Sequence, residues 1–198
     1  MIPYVLTEEA EESCAQIRRA LAAHLSEARR PVVPVGGRRL RAQRHDRTAE
    51  QREATLVRIM SITEAFCADR LLTEVEDDIR PRNQGALAQI WNTSSTAAVS
   101  SWSNQQKYYK EWLRVTAIDW GYINSLAIAR NAITHGLGRL TRQQLLKRES
   151  NVSKLNSIDI NVIQERIQIT EANLRDIASR CVAHITSVDE KVSMRVRL

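Results

Sequence analysis

The sequence predicts an all-α helical bundle with a long closing helix, preceded by an N-terminal helix and a basic arm. Three observations carry that reading. Apolar residues recur at steps of three and four along most of the chain. Neither an internal repeat nor a strong strand run is present. The 198 residues include only six Gly and four Pro, so the chain is long enough for one buried core and poor in helix breakers.

The elements follow in order. Thr7, followed by Glu8, Glu9 and Glu11, reads as an N-cap with acids in the first turn, opening a helix to about Ala28. Residues 29–47, RRPVVPVGGRRLRAQRHDR, hold seven Arg and one Asp. Pro31, Pro34, Gly36 and Gly37 prevent a continuous helix there. The remaining 22 basic and 22 acidic residues cancel, so the whole net charge of +6 lies in this arm. Thr48 and the acids after it cap a second helix to about Ile79, with Leu56, Ile59, Met60, Ile62, Phe66, Leu71, Leu72 and Val75 as its stripe. Arg80-Pro81 ends it, because the residue before a proline avoids the α region. A weak helix from about Gln84 to Ile90 gives way to a polar stretch over Trp91–Ser103. Helices from about Asn104 to Ile118 and from Trp120 to His135 come next, the latter closed by Gly136 at C′. Thr141 caps a short turn through Lys147, and 151–157 reads as loop. A last helix spans about Asp159 to Val188. Its stripe is Ile163, Ile167, Thr170, Leu174, Ile177, Cys181, Ile185 and Val188. The rest is a frayed tail. The expected division is an N-terminal helix and arm (1–47), a helical domain (48–190) and a tail (191–198).

Several function classes are excluded. There is no run of 18 apolar residues, so no membrane span is expected. The N-terminus MIPYVLTEEAEES is acidic and lacks the apolar stretch of a secretory signal, which points to the cytoplasm. Cys14, Cys67 and Cys181 are odd in number and far apart, fitting buried thiols rather than disulfides or zinc. Phosphate-binding Gly loops, HExxH, CxxC and GxSxG are all missing. No metal or cofactor is expected. The four tryptophans 91, 102, 112 and 120 read as core, with a base-stacking platform as the alternative.

The arm is either a solvated linker or a ribbon that gathers phosphates by counterion release, with Arg38, Arg39, Arg41 and Arg44 as the contacts. Among the histidines, His24 and His184 read as surface or edge residues and His45 lies in the arm. His135 differs. Ile123, Leu126 or Ala127, Arg130 and Ile133 fall on one helical stripe, so Arg130 points where a core or interface residue would. A permanent cation there must meet an anion. Glu64, Asp69 and Asp119 are candidates, as is a substrate phosphate. His135 is five steps on, about 140° around an ideal helix. A turn at Gly136 would swing its imidazole back toward Arg130. The negative end of the helix dipole favours a cation at that position, and imidazole is the side chain suited to proton transfer near neutral pH.

Arg130-Asn131-Ala132-Ile133-Thr134-His135, followed by Gly136-Leu137-Gly138-Arg139-Leu140, resembles the Rx4–6H signature of HEPN domains. The helix order is also similar to stand-alone HEPN groups such as the RiboL-PSP type: an early helix carrying Ile62-Thr63-Glu64-Ala65-Phe66, an aromatic-rich middle helix, the motif helix and a long closing helix. The likeness covers about residues 48–190. It implies a metal-independent endoribonuclease of a toxin or antiviral-defence system, working without cofactor as a homodimer with two motifs at one cleft. By that resemblance His135 is general acid or base, Arg130 stabilises charge on the phosphate, and Asn131 orients the pair or the phosphate. Glu64 anchors Arg130 or backs the cleft. The products would be a 2′,3′-cyclic phosphate and a 5′-hydroxyl. RNA is the implied partner, with a possible antitoxin or defence-complex protein and no membrane. The alternative is a non-catalytic interaction or RNA-binding subunit of a larger defence complex, favoured by the unmatched residues 1–47.

Overall fold

The computed structural model describes residues 4–28, 38–79 and 85–195, and of residues 28 and 38–47 the backbone alone. The fold is predominantly helical, as expected. The described residues form eight helices: α1 (Glu8–Ala28), α2 (Arg38–Ile79), α3 (Ala86–Val99), α4 (Trp102–Glu111), α5 (Gly121–Gly136), α6 (Arg142–Leu145), α7 (Arg148–Asn156) and α8 (Glu171–Ser193). Strands β1 (Asn161–Ile163) and β2 (Arg166–Gln168) pair as one antiparallel hairpin, with Val162 opposite Ile167.

Helix α2 is the spine. Its 42 residues would measure about 60 Å. Helices α1 and α8 pack on it and on each other. The three-helix core draws Ala10, Cys14 and Ile17 from α1 and Leu56, Ile59, Met60, Cys67 and Leu71 from α2; Leu174, Ile177, Cys181, Ile185 and Val188 come from α8. Burying each large aliphatic side chain here contributes about 1.5–3 kcal/mol. The predicted α8 stripe is therefore a core seam from Leu174 onward. Helix α1 is part of that core.

A buried polar knot ties the three helices at one end. Asp189 of α8 is fully buried. It accepts hydrogen bonds from the Tyr4 hydroxyl at 2.8 Å, the Thr7 amide at 2.8 Å, the Thr7 hydroxyl at 3.0 Å and Arg70 Nε at 3.0 Å. Glu74 takes Arg70 at 2.7 Å and Arg195 at 2.9 Å. Thr7 also caps α1, accepting from the Ala10 amide. All three cysteines are free and buried. Trp102 and Trp120 are buried, and the half-buried Trp112 packs against the buried core. Among the described residues no helix is long and apolar enough to cross a membrane.

Six expectations change. Helix α8 runs past Val188 to Ser193, and Arg195 pairs with Glu74 and Asp78, so residues 191–195 are packed rather than a frayed tail. Helix α2 starts at Arg38 rather than near Thr48, so part of the arm is helical backbone; residues 29–37 lie outside the described residues. Helix α3 runs on through the polar stretch as far as Val99, and Thr93 and Thr96 spend their hydroxyls on the carbonyls of Gln89 and Asn92 within the helix. Helix α4 ends at Glu111: Arg114 takes a positive φ of 59°, and Val115 and Ile118 reach the core from a segment outside any helix or strand. Residues 148–156 are helical rather than loop. The largest change lies at 159–170. The expected first turns of the closing helix are instead the hairpin, and α8 begins only after Thr170, whose side chain forms a capping box with Asn173.

Candidate functional site

Helix α5 carries the predicted motif and packs against α2 on one side and α7 on the other. Its inner face buries Ile123, Leu126, Ala129 and Ala132. Asn131, Thr134 and His135 are exposed. The helix runs straight through His135 and Gly136. The left-handed turn falls one residue later, at Leu137 with φ 51°, followed by Gly138 at φ 82°. The expected turn at Gly136 is thus displaced, and His135 stays about 140° around the axis from Arg130.

The segment leaving α5 is fixed from below. Leu140 donates its amide to the Glu165 carbonyl at 2.8 Å, and Ile167 donates to the Gly138 carbonyl at 2.9 Å, so the hairpin holds this strand. Gly138 sits close under Glu53: a Cβ there would lie 2.7 Å from Glu53 Oε1, so the carboxylate would have to move. Glu53 is buried on α2, and burial raises its pKa against the opposing pull of Arg166. Its ion pair with Arg166 spans 3.6 Å.

Arg130 is half-buried, as the stripe predicts. Its side chain is 29% exposed, and its Nη2 lies 3.5 Å from Glu64 Oε2, the first of the three expected acid partners. Its Nη1 donates to Asn131 Oδ1 at 3.0 Å, while the buried Nε has no partner. The guanidinium thus bridges from α2 to the edge of the exposed face. Asn131 and His135, four residues apart, share that face. Both line an open cleft of 820 Å³ between the end of α5 and the α6–α7 segment. Arg130 is not among its lining residues.

The far wall of the cleft is what the sequence reading missed. Thr141 caps α6 in a full capping box with Gln144, and Gln144 Nε2 donates to the Ile128 carbonyl at 2.8 Å, pinning the turn to α5. This turn presents Arg142, Leu146 and Lys147 to the cleft. The signal was present in RQQLLKR directly after the motif helix. No carboxylate lines the cleft. Its electrostatics suit an anion, and His135 is open to whatever binds.

The other predicted residues lie apart. Arg38, Arg39, Arg41 and Arg44 belong to the backbone of α2, and their side chains lie outside the described residues. His45 lies there too. His24 and His184 are buried rather than at the surface: His24 Nδ1 lies 3.2 Å from the Thr55 hydroxyl, and His184 stands edge-on to Trp120 at 4.9 Å. Compared with known protein families, curated proteins and solved structures, the chain matches none.

Proposed function

We propose that this chain is a metal-independent endoribonuclease of HEPN type. The observation that carries the reading is the shared face of Asn131 and His135 in a cleft with cationic and no acidic walls. In the reaction, the ribose 2′-oxygen attacks the adjacent phosphorus, and His135 takes the 2′ proton. As the O2′–P bond forms, the P–O5′ bond breaks. The leaving 5′-oxygen needs a proton at the same time. One imidazole cannot accept and donate at once, so the reading includes a homodimer whose second copy supplies the acid. Arg130, reaching the face through Asn131, adds positive charge beside the phosphorane. Glu64 positions Arg130. The products are a 2′,3′-cyclic phosphate and a 5′-hydroxyl.

A cytoplasmic toxin or antiviral-defence role, with an antitoxin or defence-complex protein as regulator, follows from the resemblance of the motif alone. One observation favours a second reading. Arg130 is occupied by Glu64 and stands off the cleft, which suits a non-catalytic RNA-binding or interaction subunit of a larger complex.

The test is incubation of the purified full chain with total RNA in EDTA. The wild type cuts, and His135→Ala binds RNA without cutting it. Intact RNA with the wild type, or equal cutting by His135→Ala, leaves the second reading.

A further inference from the structure

The cleft beside His135 has a wall that the proposed chemistry does not use. Arg142 and Lys147 are exposed on the α6–α7 turn and line the cleft together with His135. Neither takes part in an ion pair among the described residues. Arg19, Arg175 and Arg180, which are also exposed, pair with Glu12, Glu171 and Asp176 respectively. Leu146, which falls between them in sequence, is 82% exposed and lines the same cleft. The turn that carries all three is held to α5 by Gln144 and braced by the Asn151 amide on the Gln144 carbonyl at 2.8 Å. This is a fixed surface of two unmatched cations and an exposed apolar side chain.

We propose that Arg142 and Lys147 hold the phosphates of a single strand of RNA across His135, with Leu146 against an unstacked base. The assignment rests on the ribonuclease reading for the role of His135, and it names what that site selects. Two arguments favour a single strand. An exposed apolar side chain beside phosphate contacts meets a base face only when that base has left its stack. In-line attack by a 2′-oxygen also requires the backbone to leave A-form geometry.

The experiment uses the full chain carrying His135→Ala, so that the strand stays whole. Its affinity for a ten-nucleotide single-stranded RNA and for the matching duplex is measured across a salt series. The additional pair Arg142→Gln and Lys147→Gln is expected to weaken single-strand binding at least tenfold. It is also expected to flatten log K against log salt by roughly 1.4, at about 0.7 per lost phosphate contact. Leu146→Ser is expected to weaken binding and leave the slope unchanged, because an apolar contact releases no counterion. The control pair Arg175→Gln and Arg180→Gln, which removes the same charge from α8, is expected to change neither quantity.

The proposal is overturned by unchanged affinity and slope in the Arg142 and Lys147 pair, by an equal loss in the control pair, by equal binding of duplex, or by absence of RNA binding altogether. That last result would mark the cleft as a seat for an acidic protein partner. The two readings fail separately. RNA held through Arg142 and Lys147 but never cut by the wild-type protein removes the nuclease and keeps this assignment. RNA cut by a chain whose KM ignores both residues keeps the nuclease and removes this assignment.

Discussion

Removing Arg130 separates catalysis from structural support, and the two roles predict different magnitudes. Its ion pair with Glu64 spans 3.5 Å between side chains that are 29% and 24% exposed. A bare Coulomb estimate at an effective dielectric of 20 is about 5 kcal/mol. Solvent screening and side-chain ordering reduce measured values for such partly exposed pairs to about 1 kcal/mol or less. Loss of the packed aliphatic stem adds roughly 1 kcal/mol. Arg130→Ala is therefore expected to cost about 2 kcal/mol, or about 4–8 °C in melting temperature for a chain of this size. A double-mutant cycle with Glu64→Ala is expected to return a coupling of about 0.5–1 kcal/mol. Cleavage tells a different story. A donor aimed at charge that develops on the phosphate is worth about 10²–10³ in rate, or about 3–4 kcal/mol. Denaturant unfolding and single-turnover cleavage on the same variants measure both quantities. Cleavage within threefold of wild type would refute the role given to Arg130. A stability loss of about 4 kcal/mol or more would show that the pair behaves as buried, contrary to its exposure.

Three further outcomes follow from the framework that holds the site. Asp189→Ala removes the acceptor of four hydrogen bonds and leaves Arg70 partly uncompensated; it is expected to cost about 3–5 kcal/mol, read as a drop on the order of 10 °C in melting temperature. Gly138→Ala puts a Cβ 2.7 Å from Glu53 Oε1 at a φ of 82°; a loss of about 2 kcal/mol by urea unfolding is expected, and a silent variant would refute the close approach. His184 has its pKa pushed down from 6.5 to about 4, first by burial, while the backbone and carboxylate of Asp119 pull the other way. The unfolded chain then binds the proton more readily, so the contribution of His184 is full above about pH 6.5 and falls by about 3 kcal/mol as pH drops toward 4; His184→Gln is expected to flatten that slope, leaving the smaller part due to the buried His24.

Where periodicity was unambiguous, the sequence predicted what the structure contains. The α1 cap at Thr7, the α2 stripe and the seam from Leu174 to Val188 all follow from apolar steps of three and four. The hairpin was hidden for a definite reason. Its turn is made by Gln164 and Glu165 at φ 47° and 67°, conformations that usually advertise themselves through Asn or Gly. The buried Ile158, Ile160, Ile167 and Ile169 carry an alternating pattern, but Ile163, Ile167 and Thr170 also fit helical steps, so periodicity extends the closing helix across them. At the site, Arg130 and its anion Glu64 were legible because a cation on an apolar stripe must find a partner. The meeting of His135 with Arg142 and Lys147 was not legible, since it depends on Gln144 folding the next turn back onto α5.

Cleavage of one oligoribonucleotide, compared with the same strand carrying a single 2′-deoxy sugar at the cut site, tests the central claim most directly. In EDTA, the wild-type chain is expected to cut the all-ribo strand and to leave a 2′,3′-cyclic phosphate and a 5′-hydroxyl. The deoxy-substituted strand is expected to survive at that position, and His135→Ala is expected to spare both. Cutting at the deoxy sugar, a 5′-phosphate product, or loss of activity in EDTA would contradict the account.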